Sequence, residues 1–197
     1  MFIYLHGFNS SGASAKGRFF SQTLAPDAVH TPTYPPAPAA AIAGLQRYLA
    51  RLLDTAQEHG PAILIGSSLG GFYAQYLARR YQLAAVLINP ALQPEQTLTP
   101  YLGWQTNYYS GERYYFGKDE LTQLRRYAIA EPCLAPVPTL VLLDAADEII
   151  DYRDAEQRYR DCAQVIVYPG GDHQFQHLTE ATTAIRAFTG KILASQN

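Results

Sequence analysis

Short apolar runs without internal alternation recur along this chain at residues 2–5, 62–65, 84–88, 139–143 and 165–168, each bounded by Gly, Pro, Asn or Asp. A weaker run lies at 28–31. Runs that are apolar at every position suit parallel strands covered on both faces by helices. The segments between several of them have helical period. Ile42, Leu45, Leu49, Leu52 and Leu53 share one face before Gly60-Pro61, a pairing that stops a helix. Leu69, Phe72, Tyr73, Tyr76 and Leu77 repeat the spacing after the second run, and Leu178, Ala181, Ile185, Phe188 and Ile192 repeat it at the C-terminus. This alternation predicts an α/β fold, a mostly parallel sheet of about six strands with ligands at the carboxyl ends of the strands.

Two stretches break the rhythm. One is the proline-rich loop 32–38; the other is an insertion at 91–136, which crowds Tyr101, Trp104, Tyr108, Tyr109, Tyr114, Tyr115 and Phe116 into sixteen residues. A helix is expected near 119–129 after these aromatics. With 197 residues, one domain spanning 1–197 is expected, the insertion forming a lid-like part of it.

Composition narrows the function classes. Hydrophobic residues make up 48% and charged residues 16%, which excludes intrinsic disorder. The net charge is −2 without a basic block, which argues against nucleic acid as a partner. No run approaches the roughly 18 apolar residues of a membrane span, and the opening Met-Phe-Ile-Tyr-Leu-His-Gly reads as a strand rather than a leader. Cys133 and Cys162 are far apart in sequence, so reduced thiols in a cytoplasmic protein are the expectation.

The strongest chemical signal is Gly66-Ser67-Ser68-Leu69-Gly70, between an apolar run and a helical pattern. That is the strand, sharp turn and helix required by a G-x-S-x-G nucleophile elbow, with Ser68 at the strained position. The alternatives are a plain Gly/Ser turn or a helix N-terminus holding an anion. A serine nucleophile needs a base, and the base an orienting acid. His173 follows the last run through Gly170-Gly171-Asp172, and Asp147 follows the run at 139–143. Asp144, nearer the strand end, and Asp151, suited to capping a following helix, are rival acids. Serine, acid, histidine is the chain order of α/β-hydrolases.

His6-Gly7-Phe8-Asn9-Ser10-Ser11 follows the first run. A loop in that place and the residue after the nucleophile supply backbone donors to a developing oxyanion, which selects the amides of Phe8 and Leu69. His6 reads as a structural hydrogen-bonding residue rather than a second base. Tyr101, Trp104, Tyr108 and Tyr109 are candidates for an acyl pocket, the alternative being a satellite core that holds the insertion down.

The set Leu5-His6-Gly7-Phe8-Asn9-Ser10-Ser11, Gly66-Ser67-Ser68-Leu69-Gly70-Gly71, Asn89-Pro90-Ala91, Tyr101-Leu102-Gly103, Asp147-Glu148 with Asp151-Tyr152-Arg153, and Gly170-Gly171-Asp172-His173 resembles the YqiA-like esterase family of small bacterial α/β-hydrolases. The resemblance covers nearly the whole chain. It implies a cytosolic carboxylic-ester hydrolase, with acyl-CoA thioesters as a further substrate class and Ser68, Asp147 and His173 as triad. A small-molecule acyl ester or thioester is the expected partner. No cofactor or metal is expected, since acyl transfer by such a triad requires none and no Gly-x-x-x-x-Gly-Lys or His-Glu-x-x-His pattern is present. Two positions depart from the family pattern: Ala146 where glycine commonly precedes the acid, and Asp172 where asparagine often precedes the histidine. The first would shift the acid loop; the second would raise the basicity of His173 if the carboxylates lie close. A hydrolase-like binding module and an acyltransferase or peptidase with the same nucleophile remain open as rival functions.

Overall fold

A computed structural model of the chain describes residues 1–55 and 61–195. Six parallel strands form one sheet in the order β2-β1-β3-β4-β7-β8. They are β1 (Phe2–Leu5), β2 (Val29–His30), β3 (Ile63–Ser67), β4 (Ala84–Ile88), β7 (Thr139–Asp144) and β8 (Gln164–Tyr168). Each matches an apolar run read from the sequence.

The reason those runs lack alternation is visible in the packing. Ile3, Leu5, Leu64, Leu87, Val141 and Leu143 face one core, while Phe2, Tyr4, Ile65, Val86, Leu140 and Leu142 face the other. Successive residues still point to opposite faces, but both faces are buried. The first core is closed by α2 (Pro38–Thr55), α3 (Leu69–Tyr81) and α6 (Tyr152–Tyr159), the second by α1 (Ala15–Thr23) and α7 (Leu178–Ser195). On α2, Ile42, Leu45 and Leu49 are buried; on α7, Ala181, Ile185, Phe188 and Ile192 are. Each large apolar side chain buried in this way contributes roughly 1.5–3 kcal/mol. The Gly60 stop signal expected after α2 lies outside the described residues.

The insertion differs from expectation. Besides a short α4 (Pro94–Thr97), it forms an antiparallel hairpin of β5 (Gly103–Thr106) and β6 (Arg113–Phe116), a separate two-stranded sheet. Its α5 covers Lys118–Arg125, ending four residues before the expected limit. The aromatic cluster hid the hairpin because both of its faces carry aromatic residues.

The expectation of reduced thiols is corrected. Cys133 and Cys162 form a disulfide, with Cα atoms 5.3 Å apart and a separation of 29 positions in sequence. Spacing along the chain does not report spacing in the fold: α6 returns its C-terminal end beside the turn at Pro132–Leu134. No helix among the described residues is long and apolar enough to cross a membrane.

β1 lies between β2 and β3, so the chain's direction of travel across the sheet reverses at β1. A crevice is expected at the carboxyl ends of β1 and β3, where such reversals occur. Both chemical motifs of the first half of the chain end there.

Candidate active site

Ser68 leaves β3 with φ 55° and ψ −121°, a conformation that non-glycine residues rarely adopt. The glycines around it make the turn sterically possible. A Cβ on Gly66 would lie 2.2 Å from the Gly70 carbonyl oxygen, and one on Gly70 would lie 2.1 Å from that of Leu5. The Ser68 amide donates to Ile88 O, and its carbonyl accepts from Gly71, Phe72 and Ala91. The strained residue is therefore fixed to β4 and to the start of α3.

His173 reaches the serine from the loop after β8. Its Nε2 lies 3.0 Å from Ser68 Oγ, and its Nδ1 lies 2.9 Å from Asp147 Oδ2. The Asp147 side chain is 2% exposed and accepts at Oδ1 from the Ile149 and Ile150 amides, both at 2.9 Å. Those two donors aim the carboxylate at the imidazole. The His173 amide donates to Glu148 Oε2, a second tie between the two loops.

The rival acids have other roles. Asp151 caps α6 by accepting from the Arg153 amide. Asp144 is fully buried at the end of β7 and accepts from the Gln176 amide at 2.7 Å, the Asp172 amide at 3.3 Å and His177 Nδ1 at 2.7 Å. Asn89, at the end of β4, accepts from the Asp144 amide and donates to Asp172 O. Gly171 lies so close that a Cβ there would sit 1.9 Å from Asp144 Oδ2, and its φ of 74° also favours glycine. A buried polar frame thus holds the whole histidine loop. Sequence reasoning missed its members Asn89 and His177; the only available signal was Asn89-Pro90 at a strand end.

The two departures from the family pattern are absorbed. The Ala146 amide donates to Gly170 O at 2.9 Å, and the next residue still reaches His173. Asp172 Oδ2 accepts from Gln176 Nε2 at 2.7 Å within its own loop, while Oδ1 is buried without a hydrogen-bond partner among the described residues.

After β1, His6 is buried and stacks on Tyr34 with ring centroids 3.9 Å apart, while the Tyr34 hydroxyl donates to His6 O. Burial pushes the His6 imidazole down to about 4, so it binds a proton only weakly and is a poor base. Phe8 and Ser68 border the same cavity, of about 710 Å³. Leu69 opens α3 directly after the serine, where first-turn amides have no acceptor within the helix. Within the described residues neither the Phe8 nor the Leu69 amide donates to a protein acceptor.

Of the four aromatic residues expected in an acyl pocket, Tyr101, Tyr108 and Tyr109 line this cavity. Trp104 does not, and this corrects its assignment. It is 66% exposed on the outer face of the hairpin, edge-on to Tyr115 and under the Arg113 guanidinium. Strand alternation is the cause: Gln105 and Tyr114 face inward, so Trp104 and Tyr115 must face outward.

The sequence also missed Lys16, which lines the cavity from α1 and donates to Gln174 O at 2.7 Å. Burial pushes its ammonium down to about 8, against the opposing pull of Asp172, Asp144 and Asp147. Among the described residues no group of three His, Cys, Asp or Glu side chains is arranged to hold a metal ion.

A family model described as Uncharacterised protein family (UPF0227) matches residues 1–190. A UPF0227 protein of Vibrio atlanticus (strain LGP32) is 23% identical over 195 residues, covering 95% of this chain and 98% of that one. Among solved structures, Est1E from Butyrivibrio proteoclasticus, also solved with ferulic acid bound, matches with a TM-score of 0.75 at 16% identity, over 98% of this chain and 88% of that one. Alpha/beta hydrolase domain-containing protein 10 from mouse matches with a TM-score of 0.68 at 18% identity, over 97% and 90% of the two chains. The fold is that of the α/β-hydrolases. The family model spans nearly all of the sequence, and the chain belongs to the UPF0227 family, the YqiA-like group its motifs resemble.

Proposed function

We propose that the protein is a serine hydrolase that cleaves carboxylic esters, with acyl-CoA thioesters as a further substrate class, through an acyl-enzyme. One observation carries this reading: the unbroken hydrogen-bond chain from Ser68 Oγ through His173 to Asp147, at 3.0 and 2.9 Å. A binding module has no use for a strained serine joined to a base and a buried acid.

In the first step Ser68 Oγ attacks the acyl carbonyl as His173 Nε2 takes its proton. Asp147 holds Nδ1–H and stabilises the imidazolium. The carbonyl oxygen, now negative, is received by the Phe8 and Leu69 amides; loss of one such donor costs about 3–4 kcal/mol of barrier lowering. His173 then returns the proton to the departing alcohol or thiol. Water attacks the acyl-Ser68 ester with His173 as base, and the acid leaves. Every proton in the cycle moves through His173.

The substrate's acyl part fits against Phe8, Leu98 and Tyr101, which line the cavity beside Ser68. Tyr108 and Tyr109 border it from the insertion, and their half-exposed to exposed rings keep the mouth open to solvent. In this reading residues 1–197 are one domain, and the insertion at 91–136 is a wall of its cavity.

The test is labelling with a fluorophosphonate, followed by turnover of acyl and feruloyl esters and acyl-CoA thioesters. Wild type should label and turn over; Ser68→Ala should do neither, and His173→Ala should lose at least about 10³-fold in kcat. A folded wild type that neither labels nor hydrolyses any member of the series would refute the reading. Products that favour added alcohol over water at modest alcohol concentrations would replace it with an acyltransferase.

A further inference from the structure

The loop after β1 has to present the Phe8 amide at a fixed point, yet it lies beyond the last β1 residue paired in the sheet. Its support comes from the insertion. Asn9, 6% exposed and with φ 53°, is gripped at both ends of its carboxamide: Oδ1 accepts from the Tyr114 hydroxyl at 2.6 Å, and Nδ2 donates to Gln105 Oε1 at 3.0 Å. Gln105 is itself anchored through Nε2 to Tyr101 O at 2.7 Å. The backbone is held as well, by the Tyr108 amide on Asn9 O at 3.2 Å and by Asn107 Nδ2 on Ser10 O at 3.0 Å. The Phe8 ring packs against Tyr101, Tyr114 and Phe116 at centroid distances of 5.7, 6.4 and 5.1 Å. All these supports belong to residues 101–116.

We propose that the β5–β6 hairpin is a brace that sets the oxyanion site, with Tyr114 and Asn9 as positioning residues that act through the Phe8 amide. The proposal rests on the esterase reading above. Burial pushes the Tyr114 phenol up, so the hydroxyl keeps its proton and serves as the donor to Asn9. The contact is made by the inward residues of the hairpin, so the aromatic crowding in the sequence has two uses. Its inner members Tyr114 and Phe116 hold the loop, whereas Trp104 and Tyr115 lie on the outer face of the hairpin. A displacement of about 1 Å in a group that contacts the reacting atoms costs on the order of 10²-fold in rate, so loosening one hydrogen bond here acts on chemistry before it acts on binding.

The experiment compares wild type, Tyr114→Phe and Gln105→Ala, with Tyr115→Ala as a control on the outer face of the same hairpin. Three quantities are read on a neutral short-chain ester: kcat, KM and inhibition by phenylboronic acid, whose tetrahedral adduct on Ser68 carries an oxygen at the oxyanion position. Tyr114→Phe should lower kcat by about 10–100-fold with KM within about threefold. Boronate binding should weaken by a similar factor, and the midpoint of the acid limb of kcat/KM should not move, because His173 and Asp147 are untouched. Gln105→Ala should move the same quantities in the same direction by less, and it serves if Tyr114→Phe fails to fold. Folded variants that keep wild-type kcat and boronate affinity overturn the proposal. So does a rise in KM with unchanged kcat, which would make the hairpin a substrate wall only, or a loss of equal size in Tyr115→Ala. A wild type inert to both ester and fluorophosphonate overturns the esterase reading, and the brace with it.

Discussion

The loop carrying His173 and the loop carrying Phe8 meet across one cavity, but they are held from opposite directions. The histidine loop is tied inward to the sheet, through the fully buried Asp144 at the end of β7 and Asn89 at the end of β4. The Phe8 loop is tied outward, to a hairpin that belongs to a separate two-stranded sheet. The first anchor shares its residues with the core, so it stands or falls with global stability. The second joins the buried Asn9 to the inner face of the hairpin, where Phe8 and Tyr114 pack on the first core beside Phe116, so loss of a single hydrogen bond there changes the site's geometry at less cost to the fold than loss of the buried carboxylate. In the proposed mechanism, base positioning and oxyanion positioning are therefore separable.

The largest expected effect is at the inward anchor. Asp144→Ala leaves His177 Nδ1 and the Gln176 and Asp172 amides without their acceptor. Breaking a buried pair of this kind costs about 3–5 kcal/mol, and for a chain of this size that lowers Tm by on the order of 10 °C. Thermal unfolding and ester turnover should fall together. Lost turnover at an unchanged Tm would break the comparison, because the inward anchor would then be as separable as the outward one.

Next comes the disulfide, which closes a 29-residue separation just before β7 and β8 begin, at the opposite end of the strands from the site. Cys162→Ser should cost about 3.6 kcal/mol by the loop-entropy argument while kcat at 25 °C stays at the wild-type value. Denaturant unfolding beside initial rates measures both, and a fall in kcat would mean that the far end of the sheet also sets the site.

The smallest effect concerns acid. His6, at the root of the Phe8 loop, is held at about 4 by burial, whereas in the unfolded chain it titrates near 6.5. Between those values the unfolded state binds the extra proton, so stability rises with pH across the window and is lost as pH falls through it. Wild type should lose up to roughly 3 kcal/mol more than His6→Gln between pH 7 and pH 4. Equal losses would mean that the root of this loop does not contribute to acid sensitivity.

Much of the site could be read in the sequence because its signals are local. The Gly66 to Gly70 turn lies within five residues, and the clashes that require its glycines arise from the immediate chain and from β1 beside it. The five continuous apolar runs declared strands covered on both faces, since a run with no polar alternation has no face to give to water, and the weaker run at 28–31 became the half-buried edge strand β2. Asp147 against Asp144 was a different kind of question. Asp144 ends β7 and Asp147 lies three residues beyond it, and each meets a histidine, Asp147 His173 and Asp144 His177. Only the path of the loop after β8 assigns which histidine meets which acid. The aromatic insertion was misread at Trp104 for a similar reason: with aromatic residues on both faces of a hairpin, side-chain type no longer reports which face is buried.

By itself the sequence determined the parallel sheet, the buried helix faces, the elbow at Ser68 and the order of serine, acid and histidine, because each depends on periodicity or on neighbours within a few residues. The tertiary structure alone decided the Asn89–Asp144–His177 frame, the Cys133–Cys162 bond and the grip of Tyr114 on Asn9. These join residues from about 30 to more than 100 positions apart, and a contact of that kind leaves no periodic trace in the chain. It exists only once the sheet has placed the two ends side by side.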